Sequence, residues 1–113
     1  MKIATRTVDA VTVVDLDGKL KLGEDTEQFR MHVRGLLDSG SKKILLNMQN
    51  IHQLDSSGVG ELVRAFATTA SQGGQLKLLN LTKRLHDLLS VTKLLTVFET
   101  FEDERPAVDS FAE

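Results

Sequence analysis

The chain has 113 residues, of which 41% are hydrophobic and 27% charged, with a formal net charge of -2. These values are typical of a single globular domain with one core. Lys+Arg 14 nearly balance Asp+Glu 16, and the 4% of aromatic residues are all Phe, so the sequence lacks the basic surface and stacking platform of a nucleic-acid-binding protein.

Two runs rich in β-branched residues open the chain. Residues Lys2–Val8 and residues 11–17 both alternate as strands do, and Asp9-Ala10 between them suits a hairpin turn. An antiparallel pair is therefore predicted. Gly18 breaks the second run, and residues 19–22 add a brief extended piece.

A helix is predicted next, opened by Glu24 or Asp25. Gln28 stands three residues after Asp25, in the capping-box position. Gly40 suits the left-handed conformation that ends many helices. The buried stripe of this helix is predicted to be Phe29, Val33, Leu36 and Leu37.

The middle of the chain is predicted to form a buried strand, a loop and a second helix. The strand covers residues 42–47, and Gly73-Gly74 ends the helix. Asp55-Ser56-Ser57-Gly58 then lies at the boundary between loop and helix. The helix repeats apolar residues at helical spacing: Val59, Leu62, Val63, Phe66, Ala67 and Ala70.

The last third is predicted to form a strand over residues 75–80, a helix capped by Thr82, a turn at 91–95 and a strand over 96–101. Residues 102–113 form either a short amphipathic helix with Pro106 in its first turn or a frayed tail. The apolar face of the capped helix is Leu81, Leu85, Leu88 and Leu89, and that of the terminal helix is Ala107, Val108, Phe111 and Ala112.

This order of elements predicts an α/β fold. Strand–helix–strand units require parallel pairing with right-handed crossovers, whereas the leading hairpin is antiparallel. We expect one domain over residues 1–113, with its core at about 2–101 and a mixed sheet of about 4–5 strands with about 4 helices. Sites in such sheets collect at the carboxyl ends of strands, which is where Asp55-Ser56-Ser57-Gly58 falls.

Two interpretations of Ser56 and Ser57 remain open on spacing alone. In the first, the serines cap the second helix. In the second, a hydroxyl is modified or does chemistry, because a helix N-terminus stabilises a phosphate and because Gly58 and Gly60 leave the first turn unshielded.

The remaining residue types exclude several kinds of site. There is no cysteine, and His32, His52 and His86 are far apart, so neither a metal site nor a cofactor is expected. No stretch has the apolar character of a signal peptide or the length of a membrane span. A cytoplasmic protein without membrane contact is predicted.

At this point the sequence resembles the STAS domain family, in particular bacterial anti-sigma factor antagonists. The most specific element is Leu-Asp-Ser-Ser-Gly-Val-Gly at residues 54–60, which looks like the phosphorylation loop of that family. It is supported by Gly73-Gly74, by the segment 78–85, and by the leucine pairs at 88–89 and 94–95. The resemblance covers essentially the whole chain.

The resemblance implies a partner switch. The unphosphorylated antagonist binds an anti-sigma factor that is also a serine kinase, and the sigma factor is released. Phosphorylation of the serine after the aspartate, here Ser56, ends the binding, and a serine phosphatase resets the cycle. Asp55, Ser57, Gly58 and Gly60 would support the loop, the chain would not be an enzyme, and it is expected to be a monomer.

Three residues depart from the family pattern. Lys21 and Asn47 stand where many members carry aspartate, and Lys93 replaces a common glycine. The first two remove carboxylates from the expected phosphorylation face, so they bear on which kinase is served.

The partner interface is expected to surround Ser56. Candidates are Met48 and Ile51 in the loop and Glu61 and Arg64 on the helix, whereas Leu54 and Val59 are better explained by core packing.

Two further readings compete with the switch. An enzyme with a Ser56 nucleophile is disfavoured, because only His52 is near in sequence and no G-x-S-x-G elbow is present. The other is a STAS scaffold subunit of a stressosome-like or lipid-transport complex without phospho-switching.

Overall fold

A single mixed sheet organises the chain, of which the computed structural model describes residues 1–111. The strand order is β1-β2-β3-β4-β5. β1 pairs antiparallel with β2, and all later pairs are parallel, which confirms the predicted α/β architecture. The strands are β1 (Lys2–Val8), β2 (Val11–Leu20), β3 (Lys43–Leu54), β4 (Gln75–Leu79) and β5 (Thr100–Phe101).

The hairpin turn forms where it was predicted. Asp9 and Ala10 have φ values of 49° and 68°, the sign that a two-residue turn between twisted strands requires at both positions. The predicted break at Gly18 is wrong, however. β2 runs through Gly18 because register shifts against β3 between Asp15 and Asp17 and between Gly18 and Lys19 absorb the irregularity.

The described residues also form four helices, namely α1 (Glu24–Asp38), α2 (Ser56–Ser71), α3 (Lys83–Val91) and α4 (Glu104–Asp109). Gly40 has a φ of 92°, and Thr82 caps α3 by accepting a hydrogen bond from the Leu85 N–H, both as predicted. Of the two alternatives for residues 102–113, the helix is the one observed over residues 104–109. Ala112 lies outside the described residues.

α1 begins at Glu24, one of the two predicted residues, but its capping differs from the prediction. Its N-cap is Gly23, and Thr26 fills the capping-box position. The Thr26 hydroxyl accepts a hydrogen bond from the Gly23 N–H at 3.2 Å. The Gln28 side-chain amide instead donates to the Met1 carbonyl. Gln28 therefore binds the first residue of the chain and does not cap the helix.

β3 is buried on both faces, which explains its continuous apolar run. Ile44 and Leu46 enter a core cluster with buried residues of α1, α2 and α3, while Leu45 between them enters a second cluster with Val108 and Phe111 at the C-terminal end. The sheet therefore carries three helices over one core and only the short α4 over the other.

Two packing predictions need correction. On α2, Ala67 and Ala70 are exposed, and Ala65 and Thr69 are buried in their place, because the stripe is rotated toward the side of Ala65. The last strand covers only two residues rather than 96–101. A turn in which the Val97 N–H bonds the Leu94 carbonyl precedes it, and Phe98 then packs into the core.

Candidate functional site

The predicted loop after β3 is instead a continuation of the strand. β3 extends to Leu54 because β2, carried on by its register shifts, supplies a partner as far as Leu20. Within this extension Ile51 pairs with Gly18 and Leu54 with Leu20. The strand therefore delivers the chain directly to Asp55 and the start of α2.

Asp55 is the N-cap of α2 and also holds a neighbouring loop. One carboxylate oxygen accepts a hydrogen bond from the Gly58 N–H at 2.9 Å, and the other accepts from the Leu22 N–H at 3.0 Å. The Leu22 N–H, followed by the Gly58 N–H, holds the pKa of Asp55 below its ordinary value because both bonds favour the charged carboxylate. Asp55 thus ties the β2–α1 connection to the N-terminus of α2.

Ser56 and Ser57 are the first two residues of α2, so the interpretation of the serines as its caps is wrong. The aspartate accepts the capping bond instead. Ser56 is exposed and Ser57 is half-buried. The arrangement leaves a solvent-facing hydroxyl in the first turn of a helix, the end where backbone N–H groups favour negative charge.

The two glycines of this turn have different surroundings. A Cβ on Gly58 would lie 2.3 Å from the Leu20 carbonyl oxygen and 2.7 Å from Leu54 Cδ1, whereas a Cβ on Gly60 would meet no atom within 4 Å. Gly58 is therefore required for the close approach of α2 to the end of β2. Only Gly60 faces open space, so the expectation of an open surface fits this glycine alone.

Two of the four candidate interface residues lie in the core. Met48 is 0% exposed and Ile51 is 4% exposed, both in the cluster beneath α1, α2 and α3. The prediction that they lie on a partner-facing loop is wrong, because the continued pairing of β3 turns their side chains inward. Leu54 is half-buried and Val59 is buried, as core packing requires.

The other two candidates belong to one ionic cluster. The Glu61 side chain is 8% exposed and pairs with the Arg30 guanidinium of α1. Arg64 is 64% exposed, with its Nε 3.6 Å from Glu61 Oε1. Arg64 is therefore accessible to a partner, whereas Glu61 joins α1 to α2.

Leu22 is a surface residue that the sequence reasoning missed. It is 76% exposed, and the Asp55 carboxylate holds its backbone beside the start of α2. The available signal was an apolar residue after the end of the β2 alternation, directly before Gly23. Lys21 next to it is also exposed, and its charge helps to lower the pKa of Asp55.

The structure explains the residue found at position 47 and describes the backbone at position 93. Asn47 Nδ2 donates to Asp15 Oδ1 at 2.8 Å, and Asp15 in turn pairs with Arg6. An aspartate at position 47 would set two carboxylates side by side, so asparagine suits this neighbour. Lys93 has a φ of 61°, a conformation that glycine adopts without strain.

Within residues 1–111, no three His, Cys, Asp or Glu side chains are grouped in a way that could hold a metal ion. Across the same residues, every helix is too short or too polar to cross a bilayer.

Comparison with known proteins agrees with this architecture. The anti-sigma-B factor antagonist of Bacillus subtilis (strain 168) is 36% identical over 52 residues, which make up 46% of this chain. The aligned part spans 48% of that relative, about half its length.

Two solved structures share the fold along nearly the whole chain. A Thermotoga maritima protein, described as a proposed anti-sigma factor antagonist, has a TM-score of 0.90 at 22% identity and covers 98% of this chain and 95% of its own. The phosphorylated form of the Bacillus cell fate determinant SpoIIAA has a TM-score of 0.75 at 22% identity and covers 96% of this chain and 98% of its own.

The family comparison is the decisive one. The STAS domain matches residues 2–107, which include every strand and all but the end of α4. The chain therefore belongs to the STAS domain family.

Proposed function

We propose that this chain is an anti-sigma factor antagonist that acts as a phosphorylation-controlled, non-catalytic binding module. In its unphosphorylated form it binds an anti-sigma factor serine kinase and so frees a sigma factor. Phosphorylation of Ser56 ends the binding, and a serine phosphatase reverses it. The membership in the STAS family and the similarity to the sigma-B antagonist support this role.

The observation that carries the proposal is that Asp55, rather than Ser56, caps α2. The Asp55 carboxylate caps α2, while Ser56 is exposed in the first turn. A serine that capped the helix would have its hydroxyl oxygen bound to a backbone N–H and would be less free to enter a kinase active site. Because Asp55 supplies that bond, the Ser56 hydroxyl is available to a kinase at little cost to the domain.

A phosphate on Ser56 would act mainly at the partner surface. It adds about 1.5 to 2 negative charges at pH 7. Within the domain, the positive end of the α2 dipole favours that charge, and Lys21 partly balances the negative charge of the adjacent Asp55. Under a bound partner, burial of the phosphate without a matching cation costs several kcal/mol, and each ~1.4 kcal/mol is a tenfold loss of affinity.

The surface that would contact the kinase comprises Lys21, Leu22, Ser56, Gly60 and Arg64. All five are exposed. Leu22 gives this docking surface an apolar anchor, and its attachment to Asp55 fixes it relative to Ser56. A backbone that is already held in place loses less conformational freedom on binding, which favours affinity.

The alternative of an enzyme with a Ser56 nucleophile receives no support from the surroundings of Ser56. The only histidine near it in sequence, His52, lines an open cleft together with Asp17, Asn50 and Arg84. Ser56 is not among the residues that line this cleft. Without a base oriented toward it, a serine hydroxyl is a weak nucleophile.

The test is the intact mass of the protein purified from its native host, compared among wild type, Ser56→Ala and Ser57→Ala. We expect a phosphate-sized increment in the wild type and in Ser57→Ala but not in Ser56→Ala. An increment that survives in Ser56→Ala and disappears in Ser57→Ala would move the acceptor by one residue. No increment under any growth condition, with the chain held in a large complex, would favour the scaffold role instead.

A further inference from the structure

A groove between α1 and α2 carries an excess of positive charge. It has a volume of about 100 Å³, and Arg30, Arg34 and Arg64 are three of its lining residues, with Glu61 as the one carboxylate. Val33, Ala65 and Thr68 complete its walls. Three guanidinium groups against one carboxylate leave the lining with a net charge of about two positive units, since arginine stays protonated in proteins.

The one carboxylate of the lining is already engaged, and Glu27, which is not one of the lining residues, also acts on the charge of Arg30. The Glu61 side chain is 8% exposed, pairs with Arg30, and has Arg64 Nε at 3.6 Å. A buried carboxylate bound in this way orients the guanidinium groups around it, but it cannot neutralise all three. Arg30 and Arg64 remain 45% and 64% exposed, so their outer N–H groups face solvent and can bind a second carboxylate.

The groove continues the docking surface around Ser56. Arg64 lies eight residues after Ser56 on α2, which is about 12 Å along the helix axis at ~1.5 Å per residue. A partner that covers the first turn of α2 therefore reaches the groove within an ordinary interface, which spans about 800 Å² per partner.

From this geometry we infer that the arginine groove seats an acidic segment of the anti-sigma factor kinase and selects that partner by charge. The inference rests on the proposed function for the identity of the partner. Planar guanidinium groups bind carboxylates through paired N–H donors, so a glutamate or aspartate side chain suits the groove better than a neutral polar one. Arg30, Glu61 and Arg64 would then act together, with the Glu61 carboxylate as the element that positions the arginines.

The test uses the isotope-labelled chain and two peptides, acetylated hexaglutamate and hexaglutamine of the same length. We expect hexaglutamate to cause saturable NMR shifts confined to the arginine Nε–Hε groups of the groove and to the backbone of Ala65 and Thr68, and hexaglutamine to cause none. Replacing both Arg34 and Arg64 with glutamine should weaken binding at least about fivefold, given the size of exposed ion pairs.

The matched control removes two charges elsewhere. Lys83 and Arg84 are exposed on α3, so Lys83→Gln with Arg84→Gln lowers the net charge equally without touching the groove. Equal weakening in both double variants, or no saturable shift at all, would overturn the inference. The titration contains no kinase, so a negative result would not contradict phosphorylation of Ser56. Likewise, an absence of phosphorylation in the host would not contradict a positive titration.

Discussion

Alanine substitution at the two glycines of the α2 first turn should change stability in opposite directions. At Gly58 the added methyl lies 2.3 Å from the Leu20 carbonyl oxygen and 2.7 Å from Leu54 Cδ1, so the helix must move away from β2. Overpacking of this kind costs about 1 to 3 kcal/mol. The helix-propensity gain of alanine over glycine, about 1 kcal/mol, offsets part of it. Because a backbone oxygen cannot yield as a side chain does, we expect a net loss of about 2 kcal/mol.

Gly60 provides the matched control on the same helix. Its Cβ position is open, so Gly60→Ala should gain up to about 1 kcal/mol of stability from helix propensity alone. The same methyl would stand on the proposed docking surface and should weaken kinase binding. A stabilised variant that binds less well would separate a binding role from a folding role.

The assay is unfolding by urea and by heat, both followed by far-UV circular dichroism, since the chain has no Trp or Tyr to report by fluorescence. At ~4 °C per kcal/mol for a domain of this size, the thermal midpoint should fall by about 8 °C in Gly58→Ala and rise by about 4 °C in Gly60→Ala. Wild-type stability in Gly58→Ala, or destabilisation in Gly60→Ala, would refute the packing argument.

Four further outcomes are expected. Lys93→Gly should raise stability by up to about 1 kcal/mol in urea unfolding, because position 93 has a positive φ. Lys77 is 8% exposed and donates to the Ser110 carbonyl, so Lys77→Ala should lose about 2 kcal/mol, and Lys77→Met, which keeps the packing, should lose less. The pKa of Asp55 is lowered from about 3.8 in the folded state, so its contribution is present above that pH and is lost as the pH falls below it. Asp55→Asn should therefore be less stable at pH 7, and its urea midpoint should depend less on pH between 5 and 3. Leu22→Ser should leave the free energy of unfolding within about 0.5 kcal/mol of wild type and weaken kinase binding, as an exposed anchor would.

The elements that the sequence predicts well are those with local causes. The hairpin at Asp9 and Ala10 follows from two alternating runs and a two-residue gap, and Thr82 caps α3 through a bond to a residue three positions away. Hydrophobic periodicity and capping act within a few residues, so they can be read from the chain directly.

The sequence-based predictions fail where residues that are distant along the chain determine the local structure. The polar residues of the segment after Asn47 suggest a loop, but the bulged continuation of β2 pairs with this segment and turns Met48 and Ile51 inward. Glu61 looks like a surface charge, yet Arg30, 31 positions away, pairs with it at the α1–α2 contact. Neither long-range pairing can be predicted from the local sequence pattern.

The site itself was only partly readable. The sequence places Asp55-Ser56 at the start of the helix after the central strand, which the structure confirms, although the strand runs on to Leu54. Aspartate and serine both cap helices and stand next to each other here, so spacing cannot choose between them. Leu22 was missed because only the bond between its N–H and the Asp55 carboxylate brings it beside α2.

The most direct test of the account measures the affinity of the host anti-sigma factor kinase for two forms of the chain. One form carries serine at position 56 and the other carries genetically encoded phosphoserine there. Desolvation of the phosphate predicts that the phosphorylated form binds at least about a hundredfold more weakly. Equal affinities for the two forms would contradict the proposed switch at Ser56.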